Sequence, residues 1–431
     1  MMSSPLNTET IKPLQHRIAT QRILNCLRFS TMHASYLFTA ATAIAAASAQ
    51  QSLTDVLSSQ SDTLSLFTQI VQKAGLVDTI TSMDSATIFA PTNEALRNAL
   101  DQFPNLISSN SNNNGSTSSN SDSLDLDNAQ LSDRFVNILQ YHVVPGAAYS
   151  LEDIALFPGS FVSTALDGYA VNPYKTDDGD GAVVSREKRE STIASADIEY
   201  DGGVIHTIES VLLPPVGPNA TALDLGLTYL YGALQQTDLT TDVATANGIT
   251  VFIPTNQAFI DVGQQLQDLS TQELSTLLQF HVVPEMPYYT TNLSDGDTLN
   301  TLASTPYESG IDVTVDENDG AVYANNARII TANILLSNGI AHLIDQVMNP
   351  NNDNTDGYDY TLDEGGAGVP AFENAASATV PALTSGVTAS STFTPTSTFS
   401  AVSGAENLQS KYKMEMLGGG AVAAILGMML V

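Results

Sequence analysis

Tryptophan is absent from this 431-residue chain, its only cysteine is Cys26, and 14 lysines and arginines face 46 aspartates and glutamates. Each shortage excludes something. A formal net charge of −32 repels nucleic acid and bare anionic membrane, so neither is expected as a partner. Cys26 lies inside the leader described below, so the mature protein is expected to carry no disulfide, no thiol nucleophile and no Cys-ligated zinc. Stability must then come from hydrophobic cores, which a chain of this length can build in two or three domains. Catalytic signatures are also missing: there is no G-x-S-x-G elbow, H-E-x-x-H pair, P-loop or dinucleotide-binding glycine pattern. No catalytic residue, metal or cofactor is therefore expected.

Both ends read as addresses rather than fold. Residues 36–47 are apolar and lead into the small-x-small site Ala47-Ser48-Ala49. Residues 1–49 are thus expected to be a leader with a signal peptide, cleaved after Ala49. Its basic stretch, with Lys12, Arg17, Arg22 and Arg28 against Glu9, is long for such a leader. That leaves two alternatives open, translation from Met32 and a mitochondrial address. At the other end, residues 416–431 are hydrophobic and short for a spanning helix. A polar spacer, residues 406–415, and the small triplet Ser403-Gly404-Ala405 precede them. This order predicts a glycolipid-attachment signal over residues 404–431, with Ser403 or Gly404 as the attachment residue. A tail-anchored helix is the competing reading. Residues 351–403, rich in Ser and Thr from Ala375 onward, are expected to form an O-glycosylated stalk.

Between the ends the chain repeats itself, and the repeat predicts the fold. ATIFAPTNEAL from Ala86 recurs as ITVFIPTNQAF from Ile249, and ILQYHVVPG from Ile138 as LLQFHVVPE from Leu277. ADIEYDGGVIHTIESVLLPP from Ala196 recurs as ANILLSNGIAHLIDQVMNP from Ala332. Each first block reads as a short strand stopped by Pro91 or Pro254, with Thr92 or Asn93, and Thr255 or Asn256, capping the helix that follows. The helix before each Val-Val-Pro strand carries its apolar residues at helical spacing, and Ser270 with Glu273 forms a capping box. The last blocks are hairpins turning at Asp201-Gly202 and Asn338-Gly339. Helices early and strands late make the class α+β. The first copy also holds a Ser/Asn-rich insert, about residues 108–127, which is a surface loop rather than a third domain.

The FAPTNEA, YHVVPG and GGVIHTIESVLLPP segments resemble the signature blocks of fasciclin-type adhesion domains. The resemblance covers residues 50–215 and 219–350, about two thirds of the chain. It implies two tandem units, each a wedge-shaped β-sandwich with a helical layer, and a role in adhesion or matrix attachment like that of glycolipid-anchored fungal surface proteins. Residues 214–218, Pro-Pro-Val-Gly-Pro, are a short stiff linker. The family's Tyr-His adhesion pair falls on Tyr141 and His142, and on Phe280 and His281 in the second copy. Its Asp-Ile motif falls on Asp197 and Ile198, and on Asn333 and Ile334. The first copy keeps both elements and is the better candidate for binding. The bland alternative is packing, and the family assigns His142 and His281 a part in holding the helix-to-strand junction.

Four histidines remain after processing and match pairwise, His142 with His281 and His206 with His342. Two per unit are too few for a convergent metal site, and bonding of each ring to backbone is the expected role. Asp177, Asp178 and Asp180 with Glu187 resemble a calcium loop only from its third position on. Lys188-Arg189 is a dibasic pair open to processing. N-glycan acceptors occur at Asn114, Asn219 and Asn292. The leading expectation is a non-catalytic protein displaying two domains outside the cell, tethered to the outer leaflet or wall, and meeting a surface or matrix protein or glycan with avidity from many copies. The alternative is a carrier or receptor for an apolar or carbohydrate ligand in a pocket between sheet and helices.

Overall fold

The computed structural model describes residues 51–109, 129–303, 310–315, 320–351 and, apart from 369 and 373, 367–390. The leader with Cys26, the insert with Asn114 beyond residue 109, the stalk beyond residue 390, Ser403, Gly404 and the hydrophobic terminus lie outside these residues.

The first domain opens with three short helices, α1 (Leu53–Ser59), α2 (Ser61–Lys73) and α3 (Leu76–Thr81). Gly75, at φ 68°, makes the turn between the last two; in the second domain Asp238 takes that left-handed place at φ 58°. Strand β1 (Ala86–Pro91) follows, and then helix α4 (Asn93–Gln102). Thr92 is the cap, its Oγ1 accepting the Ala95 N–H at 3.2 Å. Asn93 instead reaches back to α2, where its Oδ1 accepts the Leu66 N–H at 2.9 Å and its Nδ2 donates to the Asp62 carbonyl at 3.0 Å. Thr255 and Asn256 divide the work in the same way. The TN pair is thus a cap plus a helix-to-helix tie.

Next come β2 (Ile107–Ser109) and β3 (Ala129–Leu131), paired at the base of the insert, so the expected loop begins two residues later than residue 108. Helix α5 (Asp133–Tyr141) leads into β4 (Val143–Pro145), β5 (Val162–Ser163), β6 (Ala170–Lys175), β7 (Gly181–Val184), β8 (Glu190–Tyr200) and β9 (Gly203–Ile208). The sheet has the order β4-β1-β9-β8-β7-β6-β5, with β1 and β9 parallel. Strand β1 is buried along its whole length because both faces are covered. Ile88 and Ala90 pack under the helices with Phe67, Leu96 and Phe135. Phe89, on the opposite face, packs with Tyr141, Val144 and Val183. Those two cores are the helical layer and the sandwich interior.

The second domain repeats the plan with α6 (Pro218–Asp224), α7 (Thr228–Gln236), α8 (Thr240–Thr245), β10 (Ile249–Pro254), α9 (Asn256–Asp261), α10 (Gly263–Asp268) and α11 (Thr271–Phe280). Strands β11 (Val282–Val283), β12 (Thr298–Leu299), β13 (Ile311–Val315), β14 (Val322–Ala324), β15 (Ala327–Leu336) and β16 (Gly339–Ile344) complete it. The sheet order is the same, with β10 parallel to β16, and Ser270 and Glu273 form the capping box. The fold class is α+β.

One expectation is corrected. The stalk predicted from residue 351 does not start there, because residues 367–390 pack on the second domain. Ala371, Val380 and Leu383 are buried, and α12 (Pro381–Thr384) lies against α7. The contact requires two glycines: a Cβ on Gly232 would collide with the Leu383 carbonyl, and one on Gly263 with that of Ala378. Small and apolar residues among the serines and threonines give this stretch enough burial to order it. Gly232→Val or Gly263→Val is expected to unseat the tail, with loss of about 1–3 kcal/mol from overpacking. Urea unfolding measures the loss, and proteinase K should then cut within residues 367–390 faster than in the parent protein.

Candidate functional site

The Tyr-His pair ends a helix inside the protein. Burial at His142 is complete, and its Nδ1–H donates to the Ile138 carbonyl at 2.6 Å while Nε2 accepts the Leu212 N–H at 2.9 Å. His281 repeats both bonds, to Leu277 at 2.8 Å and from Met348 at 3.0 Å. Burial holds both imidazoles neutral, lowering each pKa to about 4. Tyr141 is equally buried, with its hydroxyl donating to the Ala170 carbonyl at 2.7 Å and burial raising its pKa well above the usual phenol. Phe280 fills the sandwich core.

His206 and His342 use the opposite tautomer. Each accepts at Nδ1, from the N–H of Asp197 and Asn333, and donates from Nε2 to the carbonyl of Tyr149 and Tyr288 at 2.8 Å. Phe89 and Phe252 stack on them at 5.7 and 5.5 Å. Asp197 and Asn333 sit in bulges at φ 58°, where short Asx side chains are best tolerated. Asp197 Oδ1 accepts the Leu151 N–H at 2.8 Å, and Asn333 Oδ1 the Thr290 N–H at 3.0 Å. The Asp-Ile motif is therefore a bulge with a local clamp. Pro91 and Pro254 end β1 and β10 opposite Ile208 and Ile344.

This placement corrects the binding candidates. Tyr141, His142, Phe280, His281, Asn333 and Ile334 are buried, so a partner cannot touch them in the folded protein. Asp197 is exposed and Ile198 half-buried. The two domains differ here because β15 is covered by the turn Arg186–Lys188 of the first domain, whereas the matching part of β8 faces solvent.

That turn builds the junction. Arg186 bonds to Glu187 and, across the domains, to Asp224 at 2.7 Å. Phe161 and Tyr289 stack at 3.8 Å, and the Ser337 N–H donates to the Val216 carbonyl of the linker at 3.0 Å. Glu187 and Lys188 adopt left-handed φ of 55° and 60°, a strained pair held by these contacts. Burial raises the Glu187 pKa and lowers that of Lys188 to about 8. The dibasic site is corrected accordingly: Lys188 is only 5% exposed, out of reach of a processing protease. Asn219, half-buried on α6, donates from Nδ2 to the Thr240 carbonyl of α8 at 2.8 Å. Asn292 is exposed on a turn. Among the described residues no group of three or more His, Asp, Glu or Cys is placed to hold a metal.

A cleft of about 520 Å3 opens in the first domain between α4, the start of β8 and the segment after β9. Ala95, Ala99 and Phe103 floor it, and Arg189, Glu190 and Glu209 stand at its rim. Sequence reasoning missed both this cleft and the tail that fills its counterpart. A usable signal was Gly232 and Gly263 within helices, where the first domain has Gln69 and Leu100, since unexplained helical glycines mark close approaches.

The fasciclin-domain profile matches residues 62–214 and 225–350, and the chain belongs to the fasciclin-domain family. A fasciclin-like arabinogalactan protein of Arthroderma benhamiae is 31% identical over 210 residues, 49% of this chain and 47% of that protein, about half its length. Fasciclin-like arabinogalactan protein CTB11 of Cercospora beticola is 28% identical over 325 residues, 75% of this chain and 82% of that one. Among solved structures, a FAS1 domain pair from the insect cell adhesion molecule Fasciclin I is 17% identical with a TM-score of 0.32, covering 68% of this chain and 99% of that one.

Two predictions concern these cores. The unfolded chain protonates its histidines near pH 6.5, whereas His142, His281 and His342 resist until about 4. Stability is therefore full above pH 6.5 and falls through the window down to 4, by up to about 3 kcal/mol per histidine. Urea titrations at pH 7, 5.5 and 4.5 should show this fall, with the three ring resonances staying neutral in NMR at pH 5.5. Secondly, Arg186→Ala removes the cation from the buried Glu187 and should cost about 2 kcal/mol, whereas Arg186→Met with Glu187→Leu should recover most of it in the same urea assay.

Proposed function

We propose that the protein is a non-catalytic, adhesion-type surface protein that holds two joined fasciclin domains outside the cell on a lipid-anchored tail. The tandem family match carries this reading, and relatives named fasciclin-like arabinogalactan proteins support an extracellular or cell-surface location. The signal-like leader and the ordered triplet, spacer and hydrophobic terminus support secretion followed by glycolipid attachment at Ser403 or Gly404. No helix among the described residues is long and apolar enough to cross a membrane. The stalk in this reading is residues 391–403, since the tail before it packs on the second domain.

With Tyr141, His142 and the second domain's motif residues buried, the outer face of β8 is a surface that can meet a protein or glycan partner, with Ser195, Asp197 and Glu199 exposed along it. Weak contacts there gain strength from many anchored copies. The alternative reading, a receptor for a ligand, is favoured by the first domain's cleft rather than by an apolar interior pocket. The space between sheet and helices of the second domain is about 20 Å3, room for no more than a water.

The test is a tag placed in the Ser/Asn insert and phosphatidylinositol-specific phospholipase on intact cells of the native kind. Release of most of the tagged protein is the expected result. Retention of exposed protein would replace the glycolipid with a spanning helix or a wall linkage, and absence from the surface would overturn the reading.

A further inference from the structure

The two domains carry the same groove, and only the second has a segment lying in it among the described residues. There the tail enters where the Gly368 N–H donates to Asp345 Oδ2 at 2.6 Å. Asn349 Nδ2 donates to the Ala371 carbonyl at 3.2 Å, the Gln264 N–H to that of Ala376 at 3.1 Å, and the Ala378 N–H to that of Ile260 at 2.9 Å. Phe372 and Ala375 pack on the core that includes Ala258, Val262, Leu266 and Val347. The aligned strand ends, Pro91 with Pro254 and Ile208 with Ile344, put these four positions at Ala95, Ala99, Phe103 and Val211. All four line the 520 Å3 cleft of the first domain. A surface that takes a peptide segment in one domain, with a turn closed by the Ala375 N–H on the Phe372 carbonyl at 3.2 Å, is thus present in the other with no described residue lying in it.

The differences between the grooves define the occupant. Leu100 stands where Gly263 admits Ala378, so the path in the first domain is closed at that point and takes only the stretch matching residues 368–376. Charge differs as well. Asp101, Glu190 and Glu209 surround the cleft, against Arg189, which is turned toward Glu187 at 3.4 Å, and Arg134, whose guanidinium lies 5.6 Å from the centre of the Phe103 ring. The second domain has Gln264, Asn326 and Asp345 at the matching places, a single acid. The chain's own tail carries one charged residue between 367 and 380, the acidic Glu373, and is mismatched to the first groove.

We infer that the first-domain cleft binds a basic, non-helical peptide segment of a partner protein, about nine residues long by analogy with the tail. Its backbone lies along α4, an aromatic or aliphatic side chain meets the Ala95, Ala99 and Phe103 floor, and lysine or arginine faces Glu190 and Glu209. The inference rests on the surface-display reading only for where the partner is met. Binding is measured on purified protein, so either reading can fail alone.

The experiment uses the chain from residue 50 to 403 and fluorescein-labelled peptides of its own sequence 367–380, one unaltered and one carrying Glu373→Lys. Anisotropy titration should show saturable binding of the Lys peptide, at least fivefold tighter than the unaltered one. Ala99→Leu, which fills the floor, should weaken it tenfold or more, and the exposed Glu209→Lys, which leaves the core untouched, at least fivefold. No saturable binding, or binding indifferent to both substitutions, overturns the inference. So does a concentration-dependent dimer in sedimentation velocity that Ala99→Leu abolishes, which would make a second copy the occupant. Saturable binding of a neutral hexasaccharide with no peptide binding overturns it in favour of a glycan.

Discussion

A neutral imidazole sealed inside each domain is the constraint on which the rest of the structure depends. His142 joins the last turn of its helix to the chain leaving the final strand, 70 residues further on. Each ring nitrogen has one partner, so the tautomer is fixed: a second proton would point at an N–H donor in a place without water. The same ring sits where the helix must stop and the first edge strand must start, and it orients the segment after β9 that lines one side of the cleft. The second domain reproduces the arrangement with other neighbours, Met348 for Leu212 and Leu277 for Ile138. What is repeated is the bonding pattern rather than the residues around it.

The junction shows how two similar domains become unequal. The turn before β8 has five residues between strands and carries two arginines, a glutamate and a lysine, whereas β14 and β15 are separated by Asn325 and Asn326 alone. The longer turn reaches across to cover β15 and leaves the β8 face bare. Burying Glu187 and Lys188 there gives no large gain in stability, since desolvation of the two charges offsets most of their attraction to neighbours. It does make the contact specific to one relative placement, because Arg186 must meet Glu187 and Asp224 together.

Much of the fold was legible because the repeat constrains it twice. Thr92 and Thr255 announce the same cap, Asp201-Gly202 and Asn338-Gly339 the same hairpin, and a wrong reading of one block would conflict with its partner. The site was less legible. Tyr141 next to His142 looks like a surface recognition pair in one dimension, and only the helix register shows that both rings turn inward. Asp197 and Asn333 looked like a motif that had decayed in the second copy, but both serve one bulge, where φ selects for Asp or Asn and not for charge. The tail was misjudged because serine and threonine content outweighed Phe372, Val380 and Leu383, three apolar residues sufficient to seat it. Glycines within helices were the overlooked mark, since their meaning depends on a segment more than 100 residues away in sequence.

The seating of the tail also decides how the molecule bears load. Tension applied beyond residue 390 reaches the protein first at Leu223, whose carbonyl accepts the Ser390 N–H at 3.1 Å, and next at the helix crossing over Gly232. Under such a pull these contacts would be loaded in series, like a zip, ahead of the strands of either sheet. Residues 367–390 would then pay out about 80 Å of extended chain. In the tethered reading proposed above, the strap is a mechanical fuse, a length of chain that a tug would draw out before load passes to the two sheets.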